Sequence, residues 1–130
     1  MENEIICLDT SILIDLYRKK NKEKTAFFQL TSKYNLFAVS VITEFEIMIG
    51  ATPEQIHFWD DFFSRVTILP FDKKSNDQAI SIYKQLKQTS KLIELPDLLI
   101  GATALGNQRK IATLNKKHFE RIAGLEIVNS

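Results

Sequence analysis

Ile5-Ile6-Cys7-Leu8-Asp9-Thr10-Ser11-Ile12-Leu13-Ile14 is the stretch that decides the fold. The apolar run Ile5 to Leu8 has no polar alternation, the mark of a strand buried on both faces of a parallel sheet. An acid ends it, a Thr-Ser step follows, and Ile12, Leu13 and Leu16 then recur at helical spacing up to Arg18. Ligands of open α/β sheets bind beyond the C-terminal strand ends, and Asp9 stands at such an end. It has two readings: an N-cap or Asx-turn residue, or a carboxylate presented to a ligand. Thr10 and Ser11 can cap equally well, so capping alone does not call for an aspartate.

Outward from this unit the alternation continues. A helix is expected from about Lys24 to Tyr34, with Phe27, Phe28 and Leu30 inward, then a strand from Leu36 to Val39. A helix from near Ser40 or Thr43 runs to Gly50, a plausible C′ residue. Thr52-Pro53-Glu54-Gln55 opens another, with Thr52 as N-cap, Pro53 at N1 and Gln55 completing a capping box. A strand over Val66 to Phe71 precedes a helix opened by Ser75 and Gln78. Pro96-Asp97 starts a helix that Gly106 ends. Ile111 to Leu114 and Leu125 to Val128 are the last strands, with a short basic helix, about Lys116 to Ile122, between them. Strands separated by helices predict an α/β fold, a three-layer α/β/α sandwich around a parallel sheet of about five strands, in one domain over 1–130.

The 130 residues suffice for one core, and 45% hydrophobic with 25% charged residues is ordinary for a globular protein. The net charge of +1 gives no global field, so a nucleic acid would have to be drawn by a local patch. Cys7, the only cysteine, sits in an apolar run and reads as a buried thiol, in keeping with a reducing cytosol. The opening Met1-Glu2-Asn3-Glu4 is acidic and has no basic stretch ahead of an apolar run, so no signal peptide is expected. No apolar run approaches the roughly 20 residues of a membrane span. These features point to the cytoplasm and away from a membrane.

Two other acids sit at comparable junctions. Glu44 lies near the start of the helix after the second strand. If Thr43 is the N-cap, Glu46 is its capping-box partner and Glu44 is left over, with the helix dipole as its bland role. Asp97 follows Pro96 among Leu95, Leu98, Leu99 and Ile100, where a buried carboxylate is costly without a cation. Asp15 either reaches the same crevice or faces solvent. Converging carboxylates suit a hard cation such as Mg²⁺ or Mn²⁺, which takes oxygen ligands, lowers the pKa of a bound water and aligns a phosphate. No Ser/His/Asp triad or Cys nucleophile is suggested. Gly50, Gly101, Gly106 and Gly124 form no phosphate loop, and one Cys with two separated His disfavours zinc.

Taken together, four segments resemble the PIN-domain nucleases, and more closely the VapC-type toxins of bacterial toxin–antitoxin pairs. They are Leu8-Asp9-Thr10-Ser11-Ile12-Leu13-Ile14-Asp15, Ser40-Val41-Ile42-Thr43-Glu44-Phe45-Glu46, Pro96-Asp97-Leu98-Leu99-Ile100-Gly101-Ala102-Thr103-Ala104, and Ala112-Thr113-Leu114-Asn115-Lys116-Lys117-His118-Phe119-Glu120-Arg121-Ile122. They occur in the family's order and span nearly the whole chain. The resemblance implies an endoribonuclease dependent on Mg²⁺ or Mn²⁺, with Asp9, Glu44 and Asp97 as metal ligands and catalytic acids. It implies an RNA substrate, a cognate antitoxin and a homodimer. Where the family often has a fourth acid, this chain has Asn115 and His118. Asn115 reads as a hydrogen-bonding group for a water or phosphate, and His118 as a surface residue or a supporting group.

Thr10, Ser11 and Thr113 are candidate donors to the carboxylates, with capping and turn formation as their bland role. Arg18, Lys19, Lys20, Lys110, Lys116, Lys117 and Arg121 are candidate phosphate contacts against a solvated-face reading. Ile56, Phe58, Trp59, Phe62 and Phe63 read as core, with part of the cluster available to a partner. Two rival functions are a PIN-like module that binds RNA or protein without turnover, and a phosphoacceptor receiver domain with Asp72 as the nearest acceptor. A haloacid-dehalogenase-like phosphatase is disfavoured because Ser11 stands where that class needs a second Asp.

Overall fold

A computed structural model describes residues 4–128. The Met1–Asn3 segment, read above for a leader, lies outside the described residues. The elements are β1 (Ile5–Leu8), α1 (Thr10–Arg18), a 3₁₀ turn (Lys22–Lys24), α2 (Ala26–Leu30), β2 (Leu36–Ser40) and α3 (Val41–Gly50). Then come α4 (Pro53–Ser64), β3 (Thr67–Leu69), α5 (Lys73–Gln88), α6 (Leu95–Gly106), β4 (Lys110–Ala112) and α7 (Lys116–Phe119). The sheet is parallel in the order β3-β2-β1-β4, which puts β1 in its interior.

Alternation across each strand builds two cores. Cys7, Ala38 and Ile111 point to one face and pack with α5, α6 and Phe119 of α7. Ile6, Leu8, Phe37, Val39 and Ala112 point to the other and pack with Ile12, Leu13, Leu30, Ile47 and Trp59. Both faces of the sheet are therefore covered by helices, which is the expected three-layer sandwich. The aromatic residues of α4 serve the second core: Trp59 is 3% exposed and stacks against Phe63 with ring centres 5.9 Å apart. Among the described residues no helix is long and apolar enough to cross a membrane.

Several boundaries differ from expectation for physical reasons. Among the described residues the sheet has four strands, because the Leu125–Val128 run makes a single bridge there, with Ile111 N–H on Glu126 O and Val128 N–H on Ile111 O, both 2.9 Å. The helix expected over Lys24 to Tyr34 is broken at Thr25, whose hydroxyl accepts from Phe28 N–H and starts the short α2. Asp72, not Ser75, caps α5, accepting from Ser75 N–H at 3.0 Å. The Thr52 and Gln55 capping box forms as expected, with Thr52 N–H on Gln55 Oε1 at 3.2 Å.

Candidate active site

Asp9 leaves β1 in extended conformation, and its N–H donates to Ala112 O of β4 at 3.1 Å. Its side chain is the N-cap of α1: Oδ1 accepts from Ile12 N–H at 3.3 Å and from the Ser11 hydroxyl at 2.6 Å. Capping therefore falls to Asp9 itself, while Thr10 and Ser11 are already helical. Oδ2 accepts from the Thr113 hydroxyl at 2.6 Å. Both hydroxyls also accept from the backbone, Ser11 from Leu114 N–H at 3.0 Å and Thr113 from Asn115 N–H at 2.8 Å. With those acceptor roles filled, each hydroxyl proton is directed at the carboxylate.

Asp9 is only 2% exposed, and no cation among the described residues pairs with it. Burial pushes its carboxyl above the usual range, the nearby charge of Asp97 adds to the rise, and the bonds from Ser11, Thr113 and Ile12 oppose it.

Asp97 lies in the first turn of α6 after Pro96. Its Oδ2 accepts from Asn115 Nδ2 at 3.2 Å and stands 2.8 Å from His118 Nδ1. A carboxylate only accepts, so this contact selects the imidazole tautomer with the proton on Nδ1. Nδ1 then has no lone pair for the Asn115 amide 2.8 Å away; the two nitrogens are neighbours because they share one oxygen. His118 is thus a partner of Asp97, not merely a surface residue of a short helix. Phe119, fully buried, fastens α7 so that its neighbour reaches the crevice.

The acids of α3 separate. Ser40 caps this helix, accepting from Thr43 N–H at 3.0 Å, so Thr43 is an interior helical residue and Glu46 is not its capping-box partner. Thr43, Glu46, Ile47 and Gly50 share one face at three- and four-residue spacing. Thr10, next to Asp9, has its hydroxyl 2.7 Å from Glu46 Oε1 and 3.1 Å from Thr43 Oγ1. Glu44 is turned about 100° from Thr43 around the helix. It is half-buried and makes no hydrogen bond or ion pair among the described residues. Sequence reading passed over Glu46 because an apparent capping box explained it; its place one helical turn after the buried Thr43 was the available signal. Asp9 and Asp97 come together, but no three described His, Cys, Asp or Glu side chains form a set close enough to hold a metal.

Other candidates are assigned by their contacts. Asp15 accepts from Ala26 N–H at 2.8 Å and pairs with Lys19 at 2.9 Å, tying α1 to α2. Arg18 lines a cavity of about 370 Å³ with Thr10, Glu46, Gln55 and Trp59. Lys116 and Lys117 are exposed on α7, beside Asn115. Arg121 Nη1 donates to the carbonyls of Lys91 and Leu92, both at 3.3 Å, and so serves the loop before α6. Lys110 bridges Glu4 and Glu126 at the opposite end of β1 and β4, away from the crevice. Asp72 is engaged by Ser75, which removes the acceptor that a receiver domain needs.

The PIN domain family model matches residues 6–125. The chain belongs to the PIN domain family. Ribonuclease VapC1 of Methanocaldococcus jannaschii is 34% identical over 97% of this chain and 88% of its own length. Ribonuclease VapC1 of Rickettsia felis is 32% identical over 95% of this chain and 94% of its own. Among solved structures, VapBC-1 from nontypeable Haemophilus influenzae matches with a TM-score of 0.83 at 25% identity, covering 96% of this chain and 97% of that one. VapBC2 from Rickettsia felis, bound to a DNA fragment from its promoter, matches with a TM-score of 0.81 at 26% identity, covering 97% and 98%.

The donor set of this PIN domain fits a hard divalent cation. Asp9 and Asp97 are close enough to repel, and among the described residues no Lys or Arg pairs with either, while Asp97 Oδ1 and Glu46 Oε2 accept no hydrogen bond. Mg²⁺ is commonly held by one or two carboxylates with waters completing the shell, so the pair suffices without a closed cage of three.

Proposed function

We propose that this PIN domain is a divalent-metal-dependent endoribonuclease that hydrolyses RNA phosphodiester bonds as the toxin of a toxin–antitoxin pair. The observation that carries the reading is the buried carboxylate of Asp9, facing the charge of Asp97 with no cation among the described residues paired to it. The ribonuclease names of the M. jannaschii and R. felis relatives support the reaction class. The VapBC complexes among the structural neighbours support an antitoxin partner.

In this reading Asp9 and Asp97 hold Mg²⁺ or Mn²⁺, with Glu46 as the third acid in preference to Glu44. When bound, the ion lowers the pKa of a water and offsets charge on the phosphate. Ser11 and Thr113 fix Asp9 by donating to both its oxygens. Asn115 and His118 hold Asp97 in place at one of its oxygens. Lys116 and Lys117 on one side and Arg18 on the other supply positive charge for the RNA backbone. The cognate antitoxin and a second copy of the chain are its protein partners, and the cytoplasm is its setting. Val41, Phe45 and Ile49, exposed at four-residue spacing on α3, offer apolar surface for one of them.

The test is cleavage of a defined RNA panel with Mn²⁺, with Mn²⁺ plus EDTA, and by a folded Asp9→Asn variant. Cleavage only in the first arm is expected. Turnover that survives EDTA or the substitution would overturn the mechanism, and no cleavage in any arm would leave a binding module.

A further inference from the structure

Building on the metal-nuclease reading, we propose that Asn115 and His118 are positioning residues that occupy Oδ2 of Asp97, leave Oδ1 as its only open oxygen, and so limit the crevice to one divalent cation per chain.

The argument is a count of lone pairs. A carboxylate oxygen has about two acceptor sites. Oδ2 of Asp97 meets two donors, Asn115 Nδ2 at 3.2 Å and His118 Nδ1 at 2.8 Å. Oδ1 of Asp9 also meets two, the Ser11 hydroxyl at 2.6 Å and Ile12 N–H at 3.3 Å. What remains is Oδ1 of Asp97 and one site on Oδ2 of Asp9, beside the Thr113 hydroxyl at 2.6 Å. Two catalytic ions stand roughly 3.5–4 Å apart, and a carboxylate that spans them with one oxygen on each ion needs both oxygens open. Neither Asp9 nor Asp97 has both oxygens open. Bridging would break the cap of α1 at one acid or the clamp from α7 at the other.

The clamp also brings no negative charge. An amide and an imidazole stand where a carboxylate would attract a second cation. Their hold on Asp97 is rigid: Asn115 N–H is bonded to Thr113, which in turn is bonded to Asp9, and Phe119 is buried beside His118. One hydrogen-bonded chain thus fixes both carboxylates relative to each other.

The experiment is titration of the purified chain with Mn²⁺, reading free ion by electron paramagnetic resonance, with thermal melts confirming that each variant is folded. One Mn²⁺ per chain is expected for the wild type. His118→Ala should weaken Mn²⁺ binding by about 10–100-fold, the usual effect of removing a group that orients a metal ligand. His118→Asn, whose amide nitrogen takes the place of Nδ1, should restore most of that affinity. Asn115→Asp should raise the stoichiometry to two. Two ions on the wild type, or unchanged affinity in His118→Ala, would overturn the proposal. Two ions together with Asp9-dependent RNA cleavage would remove the single-ion proposal alone. No Mn²⁺ binding and no RNA cleavage would remove the nuclease reading with it.

Discussion

Glu46 Oε1 lies 2.7 Å from the hydroxyl of Thr10, joining the middle of α3 to the residue that follows Asp9, 36 positions earlier in the chain. Glu44, two residues before it, has no such tie. Glu46→Gln is therefore expected to lower RNA cleavage by roughly 1000-fold, equivalent to several kcal/mol of lost charge stabilisation. Glu44→Gln should stay within a few-fold of wild type. Steady-state cleavage of one RNA by both variants decides it, and the opposite ranking would return the role to Glu44.

Asp9 carries a stability cost that the metal should remove. Its folded carboxyl is raised by burial and then by Asp97. Between its unfolded and folded pKa values the native chain binds more protons, so the contribution of Asp9 to stability falls as pH rises through that interval. Asp9→Asn removes the effect. In EDTA the variant should melt a few degrees above wild type at neutral pH, and this gap should close at pH values below the unfolded carboxylate range. With Mn²⁺ at 100 times its dissociation constant, wild type should gain about 2.7 kcal/mol, and Asp9→Asn much less. Calorimetry across pH with and without Mn²⁺ measures both. A metal-free variant that melts below wild type at neutral pH would contradict the account.

Cys7 is fully buried, and burial together with the negative charge of Asp9 pushes its thiol up to about 12. Reaction requires the thiolate, so native protein at pH 8 should resist a disulfide exchange reagent and react fully in guanidinium. Fast labelling of the folded chain would show that β1 opens far more readily than its burial indicates.

Gly106 ends α6 where it crosses the start of α5. A Cβ there would sit 2.8 Å from Ser75 Cα and 2.9 Å from Ser75 N, backbone atoms that cannot turn aside. Gly106→Ala should cost about 1–3 kcal/mol, seen as a lower melting temperature with a normal Mn²⁺ stoichiometry. Gly101→Ala meets mainly the flexible end of Ile122, a neighbour that can yield.

The parallel sheet and the place of Asp9 were legible because both rest on local signals. An unbroken apolar run says strand, and a polar step into helical spacing says where it ends. The tie between Glu46 and Thr10 was not legible. A shift of the cap from Thr43 to Ser40 changes the assigned role of Glu46, and the apolar residues of Val41–Gly50 fall all around the helix, so periodicity does not reveal the inward face. The choice between a surface and a supporting role for His118 stayed open for another reason: its partner Asp97 is 21 residues away, reached through the packing of α7 on α6. The last strand candidate looked complete in composition, but among the described residues it pairs with Ile111 alone.

The bond from Thr113 to Asp9 spans 104 residues, and Asp97, Asn115 and His118 are also encoded late. Domains form as the chain leaves the ribosome, at about 5–20 residues per second. A nascent chain that has exposed Asp9, Thr10 and Glu46 still lacks half of the crevice. Synthesis itself thus acts as a timer: the site cannot assemble until the segment from Thr113 to His118 has left the ribosome, and termination before that segment yields fragments with no complete one.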